Sequence, residues 1–167
     1  MPIEFPTIDA RLTGRDARFG FGIRPNTIGG PNRYGPPFEG ILINGVVKYD
    51  LRSGELRGDW TLPSGWHVVS ECTFVPKIGS EAGDGDRGYL LVFATRSSAG
   101  AEREMAEEVA AAAEDGGRAS RLYVLDAEAL DGTPRGDETD VVVAVLALPG
   151  AVPYGLHGAW VPYEELH

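Results

Sequence analysis

Of the side chains in this 167-residue sequence, those best suited to hold a metal or carry a proton are His67, His157, His167 and the one cysteine, Cys72. An imidazole can serve as a metal ligand or as a general acid or base. A lone thiol can form neither an internal disulfide nor an all-thiolate zinc site. No HExxH, CxxC, P-loop or GxSxG spacing occurs, so zincin, zinc-ribbon, nucleotide-phosphate and α/β-hydrolase chemistries lack support. Gly20 and Gly22, and the pair Gly29-Gly30, read as a close-packed strand and a turn rather than a phosphate cradle. His157 stands apart by its setting, Pro153-Tyr154-Gly155-Leu156-His157-Gly158-Ala159-Trp160-Val161-Pro162, where glycines on both sides would let the backbone come close to another body. By residue type alone, the default for such a histidine is a core imidazole bonded to a backbone carbonyl. His67, in a Gly- and Trp-rich turn, and His167, the last residue, read as solvent-exposed, and Cys72 as a small buried strand residue.

The elements that must position these residues are short and apolar. Ile3 to Ile8 opens the chain, and Arg18 to Ile23 alternates like a strand. Arg24 to Phe38, rich in Gly, Pro and Asn, reads as a loop. Gly40 to Asp50 follows, with Asn44-Gly45 as a turn or as the lead into a strand over Val46–Asp50. A turn from Asp50 to Glu55 then joins that strand to Leu56–Leu62 as a hairpin. Further strands are expected at Val68–Pro76, Tyr89–Thr95, Ser120–Asp126 and Val141–Leu148, with an acidic Gly-rich turn between Gly79 and Gly88. The tail should end in a short aromatic strand around His157–Val161. One segment breaks the pattern: Glu102 to Glu114 is Ala- and Glu-rich, stops before Gly116-Gly117, and reads as a helical insertion between two strands. Roughly eight to ten strands at this spacing fit an all-β fold, either two propeller blades or one sandwich.

Composition narrows the function classes. Hydrophobic residues at 43% and charged ones at 24% describe a globular chain with a core, and the formal net charge of −10 disfavours a nucleic-acid partner. The amino-terminal residues have neither the basic nor the apolar stretch of a signal peptide, and the apolar runs are too short to cross a bilayer, so a cytoplasmic protein is the expectation.

Four stretches, taken in order, carry a resemblance. Val152 to Pro162 (VPYGLHGAWVP) is similar to the carboxy-terminal signature of the carotenoid oxygenase family, Pro-x-Gly-Phe-His-Gly followed by an aromatic, with Leu156 where that family usually has Phe. Ser70 to Lys77 (SECTFVPK) resembles its Gly-Glu-x-x-Phe-Val-Pro-Arg. Gly88 to Phe93, followed by Leu122 to Ala127, resembles its Asp-Gly-Tyr-Leu-Leu and Leu-x-Val-Leu-Asp-Ala strands. Ile3 to Asp9 resembles its Glu-Phe-Pro-Arg-Ile-Asp. The match runs nearly end to end, with the helical insertion as the main departure.

The resemblance implies a seven-bladed β-propeller with a ferrous iron on its axis, held by four histidines. Residues 1–167 would form its carboxy-terminal portion, about two blades and so an incomplete domain. His157 matches the fourth iron ligand. Glu71 and Glu4 match carboxylates that accept a hydrogen bond from the far nitrogen of ligand histidines, Glu71 serving His157. The ligand that Glu4 would orient lies outside this sequence, as do the other two, in an upstream propeller segment. The implied reaction is oxidative cleavage of a C=C bond by O2 in a carotenoid, apocarotenoid or stilbene-type substrate, with Fe(II) as cofactor and no catalytic side chain beyond the metal site. One imidazole cannot hold iron(II) alone. The alternative expectation is therefore an inactive fragment or an assembly partner that lacks three of the four ligands.

Overall fold

A computed structural model describes residues 3–26, 42–63, 66–96, 119–132, 140–153, 155 and 157–163. Among them are eight strands: β1 (Glu4–Thr7), β2 (Phe19–Asn26), β3 (Leu42–Asp50), β4 (Glu55–Thr61), β5 (Trp66–Pro76), β6 (Gly88–Arg96), β7 (Ala119–Asp126) and β8 (Val142–Ala147). They form two four-stranded sheets in the orders β1-β2-β3-β4 and β5-β6-β7-β8, and every neighbouring pair is antiparallel. Each sheet is thus an up-and-down meander of consecutive strands, the blade unit of a propeller. An immunoglobulin-type sandwich would instead pass strands between its sheets by Greek-key connections. That distinction resolves the choice left open by the strand pattern.

Alternation builds the strands. In β6, Leu90, Val92 and Ala94 are buried while Tyr89, Leu91 and Phe93 on the other face are half-buried, as the two-residue period requires. The β3–β4 hairpin closes through an Asp50 carboxylate that accepts the N–H groups of Arg52 and Ser53. Gly54 supplies the left-handed residue (φ 74°) that the turn needs. The core lies between the sheets: Phe21, Ile23, Val46 and Trp60 meet Phe74, Leu90, Val92, Tyr123 and Leu125, with Phe21 stacked on Phe74 at 5.5 Å.

Two contacts fix the spacing of the sheets. A Cβ on Gly58 would fall 1.7 Å from the Leu130 carbonyl oxygen, so only glycine lets β4 approach the turn after β7 this closely. Lys48 is fully buried and donates to the Asp86 carboxylate at 2.8 Å and the Ala127 carbonyl at 3.0 Å, with its ammonium 4.6 Å from the centre of the Phe19 ring. A charge in that position is tolerable because each of these groups compensates it.

Several expectations need correction. β2 continues through Arg24–Asn26, which composition assigns to a loop; the rest of that expected loop, 27–38, lies outside the described residues. Its Arg24 is buried and ion-paired with Asp59 at 2.8 Å. Asn44-Gly45 is neither a turn nor a connection ahead of the strand but lies inside β3, where Gly45 pairs with Arg24 and Thr61 on either side. His67 is not exposed: it lies on β5 opposite Thr95 and is 7% accessible, in a run from Trp66 to Val69 that is buried throughout. The tail around His157–Val161 is not a strand: among the described residues it is held to β5 by the Gly155 N–H bond to the Val69 carbonyl just ahead of it and by the Glu71 side chain, not by a ladder. The helical insertion expected at 102–114 and His167 lie outside the described residues.

Candidate metal-ligand site

β5 packs across β1, β2 and β3, and the tail returns to lie against it. The Gly155 N–H donates to the Val69 carbonyl at 2.8 Å, which brings the following residues alongside Ser70–Thr73. There Glu71 takes hold of two adjacent residues with its two oxygens. Oε2 is 3.1 Å from His157 Nδ1, and Oε1 accepts the N–H of Gly158. The carboxylate is 14% accessible and the imidazole 75%.

The chemistry of this pair follows from its donor and acceptor count. An ionised carboxylate only accepts, so Nδ1 must carry the proton for the contact to be a hydrogen bond. In a neutral imidazole Nε2 then keeps its lone pair, so the ring, held through Nδ1, could serve as a metal ligand. Gly158 occupies the other carboxylate oxygen, which prevents Glu71 from rotating away. One side chain therefore sets both the tautomer of His157 and the path of the backbone beside it.

Steric need does not explain the flanking glycines. A Cβ on Gly155 would sit 3.7 Å from Ser70 Cβ, and one on Gly158 would sit 3.6 Å from Thr73 Oγ1, both ordinary contacts. Cys72, next to Glu71, is fully buried, and burial pushes its thiol up to about 12, so it is inert at neutral pH.

Glu4 is exposed on β1, in register with Ile23, and its carboxylate has no hydrogen-bond or ion-pair partner among the described residues. The structure does not bring it to His157. Phe5, its neighbour, does reach His157: the rings lie edge to face, with centroids 5.8 Å apart and planes at 80°. Residue pattern gave no sign of this contact. His67 belongs to the buried body of β5 and forms no part of this arrangement.

A cavity of about 450 Å³ opens beside the pair, between the end of β1, the Thr73–Pro76 part of β5 and the tail. Phe74, Pro76, Trp160 and Pro162 give it an apolar wall. Its rim is held by Arg11, which grips the buried Asp9 carboxylate and donates to the Ser80 carbonyl at 2.7 Å, tying the exit of β1 to the β5–β6 connection.

Comparison with known proteins gives a consistent picture. Residues 1–162 match the family described as RPE65, retinal pigment epithelial membrane protein. The carotenoid 9,10(9',10')-cleavage dioxygenase 1 of Phaseolus vulgaris is 25% identical over 175 residues, covering 98% of this chain and 25% of that protein. The chloroplastic 9-cis-epoxycarotenoid dioxygenase NCED1 of Oryza sativa subsp. japonica is 28% identical over 168 residues, covering 98% and 20%. Among solved structures, the lignostilbene dioxygenase of Pseudomonas brassicacearum superimposes with a TM-score of 0.63 at 26% identity, over 96% of this chain and 27% of that one. A mutant of the Synechocystis apocarotenoid oxygenase gives 0.61 at 24% identity and supports the fold. The chain spans about a quarter of the length of the relatives it matches.

Proposed function

The chain belongs to the carotenoid oxygenase family, the one described as RPE65, and from that premise we propose that it is the carboxy-terminal part of an iron(II)-dependent dioxygenase. Its two sheets are two blades of a seven-bladed propeller. The substrate would be a carotenoid, apocarotenoid or stilbene; relatives named as carotenoid and lignostilbene dioxygenases support the first and the last of these. The products would be two carbonyl compounds.

The observation that carries this reading is the grip of Glu71 on His157 Nδ1 and on the Gly158 N–H. It suits a metal ligand because it leaves Nε2 as the free donor of an exposed ring. His157 would contribute one of four imidazoles to iron(II), and Glu71 would hold that ring in place and keep its Nδ1 proton. The remaining three ligands would come from an upstream propeller segment, and Glu4 would orient one of them. Bound iron(II) would supply the activation of O2 toward the double bond. This chain's own residues orient the ligand and shape the adjoining apolar cavity, and no other side chain here is assigned a catalytic role.

The test is a cleavage assay on the native protein with stilbene and apocarotenoid substrates under ¹⁸O2. Two labelled carbonyl products are expected, and His157→Ala should abolish them. Undiminished cleavage by His157→Ala would overturn the assignment of this histidine.

A second reading has its own support. Among the described residues β8 pairs only with β7, and it exposes Val143, Val145 and Leu146 along an open edge. A chain of this length acting alone would then be an inactive assembly partner that adds its edge or its outer face to another protein. The purified 167-residue chain distinguishes the two: iron and cleavage activity in it would exclude this second reading.

A further inference from the structure

We propose that Phe5 is a positioning residue for the His157 imidazole, acting as a second support beside Glu71; this rests on the reading of His157 as a ligand whose Nε2 must stay free. The first observation is conformational. Phe5 has φ 48°, and among the described residues it is the one non-glycine with a positive φ. Bulky side chains rarely adopt that region, and a residue preceding proline, as Phe5 precedes Pro6, is ordinarily held in the extended region.

The second observation is the register. Glu4 pairs with Ile23 and Thr7 with Phe21, so three steps along β1 oppose two along β2. One extra residue is accommodated at Phe5-Pro6, which makes this a β-bulge, a device that re-aims a side chain. A left-handed bulge position normally takes glycine at no steric cost. Here it holds a phenylalanine, and the ring that the bulge re-aims meets His157 edge to face at 5.8 Å.

These facts fit together in one role. Glu71 fixes the imidazole through Nδ1, but a single hydrogen bond leaves the ring free to swing about that contact. An aromatic ring set at 80° to the imidazole restricts the swing and holds Nε2 in one direction. Backbone strain persists where the surrounding structure over-determines it, and such strain clusters where geometry is functional.

The experiment uses the 167-residue chain labelled with ¹⁵N-histidine, with His157→Ala to assign the signals. Long-range ¹H–¹⁵N spectra at alkaline pH read the tautomer of His157 directly. Wild type should be mainly the Nδ1–H form. An edge-to-face aromatic pair is worth about 0.5–1.5 kcal/mol, so Phe5→Leu should lower the Nδ1–H to Nε2–H ratio by about 2- to 13-fold. Phe5→Trp should restore it. Exchange protection of the Gly155 amide, whose partner is the Val69 carbonyl, should be unchanged in Phe5→Leu, because the tail stays docked.

A Phe5→Leu ratio equal to wild type would overturn the proposal while leaving the Glu71–His157 pair standing. Loss of Gly155 protection in step with the ratio would also overturn it, by reducing Phe5 to packing for the tail. A wild-type His157 protonated at Nε2 would remove the ligand reading and this proposal together.

Discussion

Replacing Glu71 with Gln keeps the shape of the side chain and removes only its charge and one acceptor. The carboxylate accepts from two donors, His157 Nδ1–H and Gly158 N–H. A carboxamide has one acceptor oxygen and one donor nitrogen, so it can satisfy one of the two and must present N–H to the other. If its oxygen keeps Gly158, its NH2 faces Nδ1, and His157 can respond only by moving its proton to Nε2. If its oxygen keeps Nδ1, two N–H groups face each other at Gly158. Hydrogen bonds to a charged group contribute about 1.5–3 kcal/mol each, and one neutral bond of about 1 kcal/mol remains. Discounted for the exposure of His157, the net loss at the tail is about 1–2 kcal/mol, or roughly 5- to 30-fold in its docking equilibrium. Hydrogen exchange at the Gly158 amide is the assay, and it should accelerate by that factor in Glu71→Gln. In an iron-loaded protein the same change should weaken iron binding by about 10- to 100-fold. Gly158 exchange within twofold of wild type would refute the reasoning.

Other consequences are independent of the metal. Gly58→Ala places a Cβ 1.7 Å from the Leu130 carbonyl, and because both partners are backbone the sheets themselves must part. The cost should reach about 3 kcal/mol, seen as a fall in Tm of about 6–12 °C in a thermal melt. Lys77 bonds Glu128 and Asp126, which raises its pKa. Burial pushes Asp126 up, but Lys77 and the N–H groups of Ala129 and Glu128 outweigh it and hold the carboxyl below its ordinary value. Asp126 therefore stabilises the fold above about pH 4 and loses that contribution as pH falls through its lowered pKa; Lys77 stabilises below about pH 10 and loses it as pH rises through its raised one. The gap in urea midpoint between wild type and Lys77→Met should be widest between these limits and close at acid pH. Cys72, buried and pushed up to about 12, should resist iodoacetamide at pH 8 until the chain is unfolded, which mass spectrometry would read.

Local pattern made most of the strands legible and little of the site. β6 and β7 could be read because half-buried strands alternate, and the β3–β4 hairpin because Asp50 and Gly54 have turn chemistry. Alternation tells that a strand has an inner face, not which sheet it joins; the meander order that makes these sheets blades is a long-range property. The end of β2 was obscured by Pro25 and Asn26, turn-forming residues that the ladder nevertheless accommodates at a register break. His67 looked exposed beside Gly65 because composition cannot reveal that the start of β5 is enclosed. Glu71 and His157 are 86 residues apart, and no spacing rule links them. Their pairing was expected through the family resemblance, and the hydrogen bond is present. Phe5 could not have been found from sequence, since its part depends on a positive φ and a bulge that its own residue type disfavours.

The most direct test of the account is iron content, measured by elemental analysis on the native protein and on its His157→Ala variant. Roughly one iron per polypeptide in the wild type, lost when His157 is replaced, is the predicted result. Iron that survives the substitution undiminished would contradict the claim that this histidine, oriented by Glu71, holds the metal.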